Sequence, residues 1–137
     1  MNHEKLTVLG FRPALVLHWA DGPARFRMTP LVEDPEILGV RSLIYAWYDR
    51  YGDVVMNVGR TSKSLKTRFL HSGGYEHWLN GFDRKRDRPI RRRWLEYIGA
   101  SKSGLIEVHI HRCDPSVLAQ EEARFMDELK PKLNVRR

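Results

Sequence analysis

Seven cations fall within ten residues of this chain: Arg84, Lys85, Arg86, Arg88, Arg91, Arg92 and Arg93. Such a run is often a solvated face. Spaced along a loop and a helix, however, it suits neutralisation of successive phosphates, and binding of that kind falls steeply with salt. Tyr75 and Trp78 lie beside the run and either stack on exposed bases or pack inside. A second group of reactive types is His109, His111 and Cys113, in the stretch HIHRC. Alternation along a strand puts all three on one face, a spacing that would bring three zinc-type ligands together. No fourth ligand and no Cys-x-x-Cys or His-x-x-x-His spacing accompanies them, so a plain surface face with a chance cysteine is the stronger reading.

The whole chain shares the bias of the arginine run. Its 137 residues carry 24 Lys and Arg against 17 Asp and Glu, a formal charge of +7, so its partners should be acidic. Nucleic acid and anionic membranes both qualify. No apolar run approaches the ~18 residues needed to span a bilayer, and the basic residues form no long interfacial helix. Nucleic acid is therefore the expected partner and a membrane is not. With 42% hydrophobic residues, a chain of this length builds one core without staples. Cys113 is the single cysteine, which excludes an internal disulfide and fits a reducing cytoplasm. The opening stretch MNHEKLTVLGFRP has no basic segment followed by a long apolar run and a small-residue cleavage site, so no secretion signal is expected.

The elements that must position these residues read as follows. Residues 6 to 31 predict two short strands about the Asp21-Gly22 turn, an N-terminal β-hairpin. VEDPEILG reads as a connector with at most one helical turn. LIYAWYD and VVMNVGR, rich in aromatic and β-branched residues, predict a second hairpin about Gly52. SKSLKTRFLHS has a serine cap candidate and Leu65, Phe69 and Leu70 at helical spacing, with Gly73 and Gly74 to end it. Pro89 then opens a basic amphipathic helix with Ile90, Trp94 and Ile98 every four residues. LIEVHIHRC alternates as a strand, and Asp114-Pro115-Ser116 opens a last helix running to about Leu129 before Pro131. The fold class is thus α/β in the α+β sense, a small antiparallel β-sheet flanked by helices. A soft boundary near residue 39 separates an N-terminal extension and connector, 1–39, from a main domain, 40–137.

From about residue 42 to 134 the chain resembles the GIY-YIG nucleases. Leu43, Ile44 and Tyr45 stand for the first motif, and Asn57, Val58 and Gly59 for the second, continued by Arg60 and Thr61. Arg68 follows a Ser-Leu-x-x-Arg run, where the family places its active-site arginine. Glu122 precedes Asn134 by twelve residues, and ARFMDELKPKL between them looks like the family's helix ending in Leu-x-Pro-Lys-x-Asn. Five elements in one order are far more specific than either tripeptide alone.

The resemblance implies a metal-dependent endonuclease hydrolysing phosphodiester bonds in nucleic acid, DNA favoured over RNA. Such hydrolysis needs a deprotonated water, a charge stabiliser and a path for the leaving oxygen. Tyr45 would take the proton from water, which calls for a phenol that ionises more readily than a free one. Arg60, Lys63 or Lys66 would supply the positive field for this. Arg68 would stabilise the charge growing on the non-bridging oxygens. Glu122 would hold one Mg2+ or Mn2+ ion, and Asn134 would orient partners through its amide. The family's second tyrosine falls at Asn57, and an amide is no acid or base. Either Tyr45 carries the base role while Asn57 only hydrogen-bonds, or Tyr48 or Tyr51 substitutes, or activity is reduced. Many family members have histidine or tyrosine four residues past the arginine; here that position is Ser72, with His71 three past and a candidate to face the site. Cutting both strands of a duplex would require a homodimer or two visits. The N-terminal hairpin is compatible with widening the sheet, shaping substrate choice or building a dimer interface. A basic binding module on the same fold, without turnover, is the rival reading.

Overall fold

The computed structural model describes residues 1–19, 26–31, 35–70, 74–80, 88–100 and 106–133. Five strands form a single antiparallel sheet: β1 (Arg12–Trp19), β2 (Phe26–Pro30), β3 (Leu43–Asp49), β4 (Val54–Thr61) and β5 (Ile106–Arg112), in the order β2-β1-β5-β3-β4. Helices flank it: α1 (Asn2–Val8), α2 (Pro35–Gly39), α3 (Tyr75–Leu79), α4 (Arg88–Ala100) and α5 (Leu118–Leu129). The class is therefore α+β, as composition and periodicity imply. The N-terminal hairpin continues the same sheet, because β1 pairs with β5 as well as β2.

Strand β3 is an interior strand, paired with β5 on one side and β4 on the other, and is buried at every position. This explains why LIYAWYD reads as an unbroken apolar and aromatic run rather than an alternation, since both of its faces are covered. One face carries Leu43, Tyr45 and Trp47 and packs with Phe69, Trp78, Trp94 and Ile98. The other carries Ile44, Ala46 and Tyr48 and packs with Leu6 of α1 and with Phe125 and Leu129 of α5. In α4, Trp94 and Ile98 are buried and Ile90 partly so, while Arg92 and Arg93 are exposed. The expected amphipathic stripe is thus found. Helix α5 ends at Leu129, where Lys130 takes a left-handed backbone, φ 47°.

Three features differ from the sequence-based expectations. Residues 2 to 8 form α1, so the stretch expected to begin a strand at residue 6 is helical to Val8. A distant turn supplies the acceptors its first N–H groups need: the Asp53 carboxylate accepts from Asn2 N at 3.1 Å and His3 N at 3.3 Å, while Asn2 Nδ2 donates to the Asp53 carbonyl at 2.6 Å. Helix α3 has no counterpart among the expected elements. Finally, the expected surface face is interior at His109, while His111 and Cys113 are partly buried. His109 is 1% exposed, beneath α1, and bonds Glu107 at 3.0 Å; Glu107 in turn pairs with Arg50 at 3.0 Å. Burial pushes the His109 pKa below its ordinary value despite the opposing effect of Glu107. No group of three or more His, Cys, Asp or Glu suited to a metal occurs among the described residues.

Candidate active site

Tyr45 and Gly59 are directly opposed in the β3–β4 pairing, on the sheet face that packs with Phe69. The Tyr45 ring leans across its partner: a Cβ built at Gly59 would lie 2.5 Å from both Cζ and Oη of Tyr45. Any larger residue at 59 would meet the ring well inside van der Waals contact. The need for glycine here is steric, and it explains the Asn57-Val58-Gly59 pattern through its last member. Tyr45 is 2% exposed and edge-on to Phe69, with ring centroids 5.0 Å apart.

Arg68 comes from the wide helical turn Lys66–Leu70 that follows β4. Ser64 caps this turn, its Oγ accepting from Thr67 N at 3.2 Å, and the Arg68 N–H donates to the Ser64 carbonyl at 3.0 Å. This aims the guanidinium back over the sheet. Its Nη2 donates a long hydrogen bond, 3.4 Å, to Tyr45 Oη, and its Cζ stands 4.9 Å from the centre of the Tyr75 ring. Burial alone would lower the proton affinity of Arg68, but the Tyr45 and Tyr75 oxygens outweigh it and hold the group charged. Its Nε is buried and has no hydrogen-bond partner among the described residues. Donor capacity is therefore left unused beside a phenol.

Tyr75, the first residue of α3, is the member that sequence reasoning did not place in the site. Its hydroxyl is 2.8 Å from that of Tyr45, and its ring stacks on Phe69 with centroids 5.0 Å apart. The two tyrosines considered as stand-ins for the missing second phenol lie elsewhere. Tyr48 points to the opposite face and donates to Asp53 at 2.6 Å; burial and that carboxylate raise its pKa. Tyr51 is 75% exposed in the β3–β4 turn. Only its position after the helical turn could have marked Tyr75, and that position carries no pattern of its own. Trp78, 8% exposed, packs edge-on against Tyr75 and Trp94 in the same cluster.

Asn57 pairs with Trp47, two positions from Tyr45 along β3, so it shares the Tyr45 face. Glu122 belongs to α5, which packs on the other face through Phe125 and Leu129. Its side chain is 22% exposed and forms an ion pair with Arg60 at 3.6 Å. Arg60 is the residue after Gly59 on the edge strand, so the structure connects Glu122 to Tyr45 through the edge of β4 rather than by direct contact. Lys63 and Lys66 are exposed. His71, Asn134, Arg84, Lys85 and Arg86 lie outside the described residues, as does the side chain of Arg88. Arg91 serves the fold: its Nε donates to the Trp78 carbonyl at 2.8 Å and its Nη2 to the Leu79 carbonyl at 2.9 Å, closing the end of α3. Arg92 and Arg93 remain open to solvent.

Among the described residues no helix is long and apolar enough to cross a membrane. Comparison of the chain with protein-family models, with curated proteins and with solved structures finds no match in any of the three.

Proposed function

We propose that this protein is a GIY-YIG-type endonuclease, a metal-dependent phosphodiester hydrolase acting on nucleic acid, with DNA favoured over RNA. The observation that carries the reading is the contact of Tyr45 with a charged, half-buried Arg68 whose Nε donor has no partner among the described residues. In the reaction, the Tyr45 phenolate takes a proton from water as the water oxygen bonds to phosphorus. The opposite P–O ester bond breaks, and its oxygen leaves with a proton from solvent. Arg68 donates to the non-bridging oxygens, whose negative charge grows in the transition state. Asn57 contributes hydrogen bonds on the same face and no proton transfer.

Glu122 is the residue that would hold a divalent ion. Its carboxylate is a hard oxygen donor, partly open to solvent, and only loosely engaged by Arg60 at 3.6 Å. A Mg2+ or Mn2+ ion bound there would supply Lewis-acid stabilisation. The exposed cations Lys63, Lys66, Arg92 and Arg93 would track the phosphate backbone, with Arg60 beside Glu122.

The placement of α5 on the face opposite Tyr45 favours a second reading, a nucleic-acid-binding module that has lost turnover. Incubating the protein with labelled single-stranded DNA, duplex DNA and RNA, with Mg2+, Mn2+ or chelator, decides between them. Cleavage that requires metal and falls at least ~100-fold in Glu122→Ala is the expected result. Salt-sensitive binding without cleavage of any substrate would overturn the nuclease reading in favour of the module.

A further inference from the structure

We infer that Tyr75 is a positioning residue for the Tyr45 base, its hydroxyl serving as the second phenol that Asn57 does not provide. The inference rests on the nuclease reading and deepens it. Three observations converge. The two hydroxyls are 2.8 Å apart although the residues are 30 positions distant in sequence. The Tyr75 ring is fixed by its stack on Phe69, 5.0 Å between centroids, and by edge contacts with Trp47 at 5.2 Å and Trp78 at 5.7 Å. Arg68 stands over the same ring while its Nη2 reaches Tyr45 Oη. Tyr45 Oη therefore has a neutral hydroxyl and a charged guanidinium within hydrogen-bond reach, from separate elements.

Which hydroxyl donates follows from their surroundings. Burial, and then the nearby Tyr45 oxygen, push the Tyr75 pKa well above its ordinary value, more than Arg68 lowers it. Tyr75 thus keeps its proton and is the donor of the pair when Tyr45 acts as the base. Its O–H then satisfies one lone pair of the Tyr45 phenolate and fixes the direction in which another faces the attacking water. The family's tyrosine at the Asn57 position would have come from the neighbouring strand; here an equivalent phenol arrives from α3, across the site. No proton need leave Tyr75 at any step.

The test is Tyr75→Phe, which keeps the ring, its stacking and its contact with Arg68, and removes one oxygen. We expect kcat to fall about 10- to 100-fold, the effect of losing one hydrogen bond to a charged acceptor, with KM and salt-dependent binding unchanged. The alkaline rise of the pH–rate profile should move to higher pH. Tyrosines labelled with 13C at Cζ provide a readout without substrate: the Tyr45 line, identified by its loss in Tyr45→Phe, should shift in Tyr75→Phe while the thermal midpoint stays within a few degrees. An unmoved Tyr45 line overturns the contact whether or not the protein cleaves. An unchanged kcat and pH profile, or a loss explained by unfolding, overturns the role. If the wild-type protein cleaves nothing, the nuclease reading itself has failed, and the role of Tyr75 in catalysis falls with it.

Discussion

Gly59→Ala tests whether the close packing of Tyr45 against its strand neighbour organises the site. An alanine Cβ would lie 2.5 Å from Cζ and Oη of Tyr45 and 2.7 Å from Cε2. Ordinary carbon contacts lie at about 3.5–4.0 Å, so the ring must retreat by roughly 1 Å. It has little room: Tyr45 is 2% exposed, with Phe69 at 5.0 Å and Tyr75 at 5.7 Å between centroids and Arg68 Nη2 on its hydroxyl. Overpacking of this kind costs about 1–3 kcal/mol. Replacing glycine inside a strand would otherwise gain about 0.5–1 kcal/mol, so the steric effect should win. The net loss is then up to about 2.5 kcal/mol, and at about 3–4 °C per kcal/mol for a chain of this length the midpoint should fall by up to roughly 10 °C. All three contacts involve the far end of the ring, which Tyr45→Leu lacks. In that background Gly59→Ala should be neutral within about 0.5 kcal/mol or slightly stabilising. Denaturant unfolding of the four proteins measures the coupling. Equal losses in both backgrounds would refute the reasoning, because the requirement for glycine would then not come from Tyr45.

The remaining predictions concern parts of the fold around the site and the arginines of α4. Asp53→Asn should destabilise the protein by weakening the acceptor shared by Asn2 N, His3 N and Tyr48 Oη. The hydrogen bond from Tyr48 and those from α1 hold the Asp53 pKa below its ordinary 3.8, burial opposing them. A depressed carboxylate pKa contributes stability above the unfolded value and loses it as pH falls through the folded one. The gap between wild type and Asp53→Asn in urea titrations should therefore be constant at neutral pH and shrink only below about pH 4. Arg91→Ala should lower stability by about 1.5–3 kcal/mol, since a charged donor leaves two carbonyls at the end of α3. Arg92→Ala and Arg93→Ala should each change stability by under about 0.5 kcal/mol. If each contacts one phosphate, either change lowers the salt slope of nucleic-acid binding by about 0.9 on duplex DNA. Filter binding across a salt series, beside thermal melts, separates the two kinds of arginine.

Much of the scaffold was legible because its signals are local. The aromatic and β-branched runs of β3 and β4, the four-residue spacing of Ile90, Trp94 and Ile98, the alternation in β5 and the Asp114 to Pro131 frame of α5 each state their element within a short stretch of chain. Tyr45, Gly59 and Arg68 stand out in the sequence only through the resemblance to a nuclease motif order, and the fold brings the three together. What remained hidden depends on partners far apart in the chain. Helix α1 runs into a stretch read as strand from residue 6; Asp53, about fifty residues away, accepts its first N–H groups, while Leu6 is buried against the sheet. Arg91 reads as one more cation in a basic run, yet two carbonyls of α3 occupy it. His109 and His111 alternate as any surface pair would, and only the tertiary packing buries His109 while leaving His111 half-buried. The same holds for the pairing of Tyr45 with Tyr75: residue types and spacing name the groups available for chemistry, but the meeting of two hydroxyls from a strand and a distant helix is decided by how the layers pack.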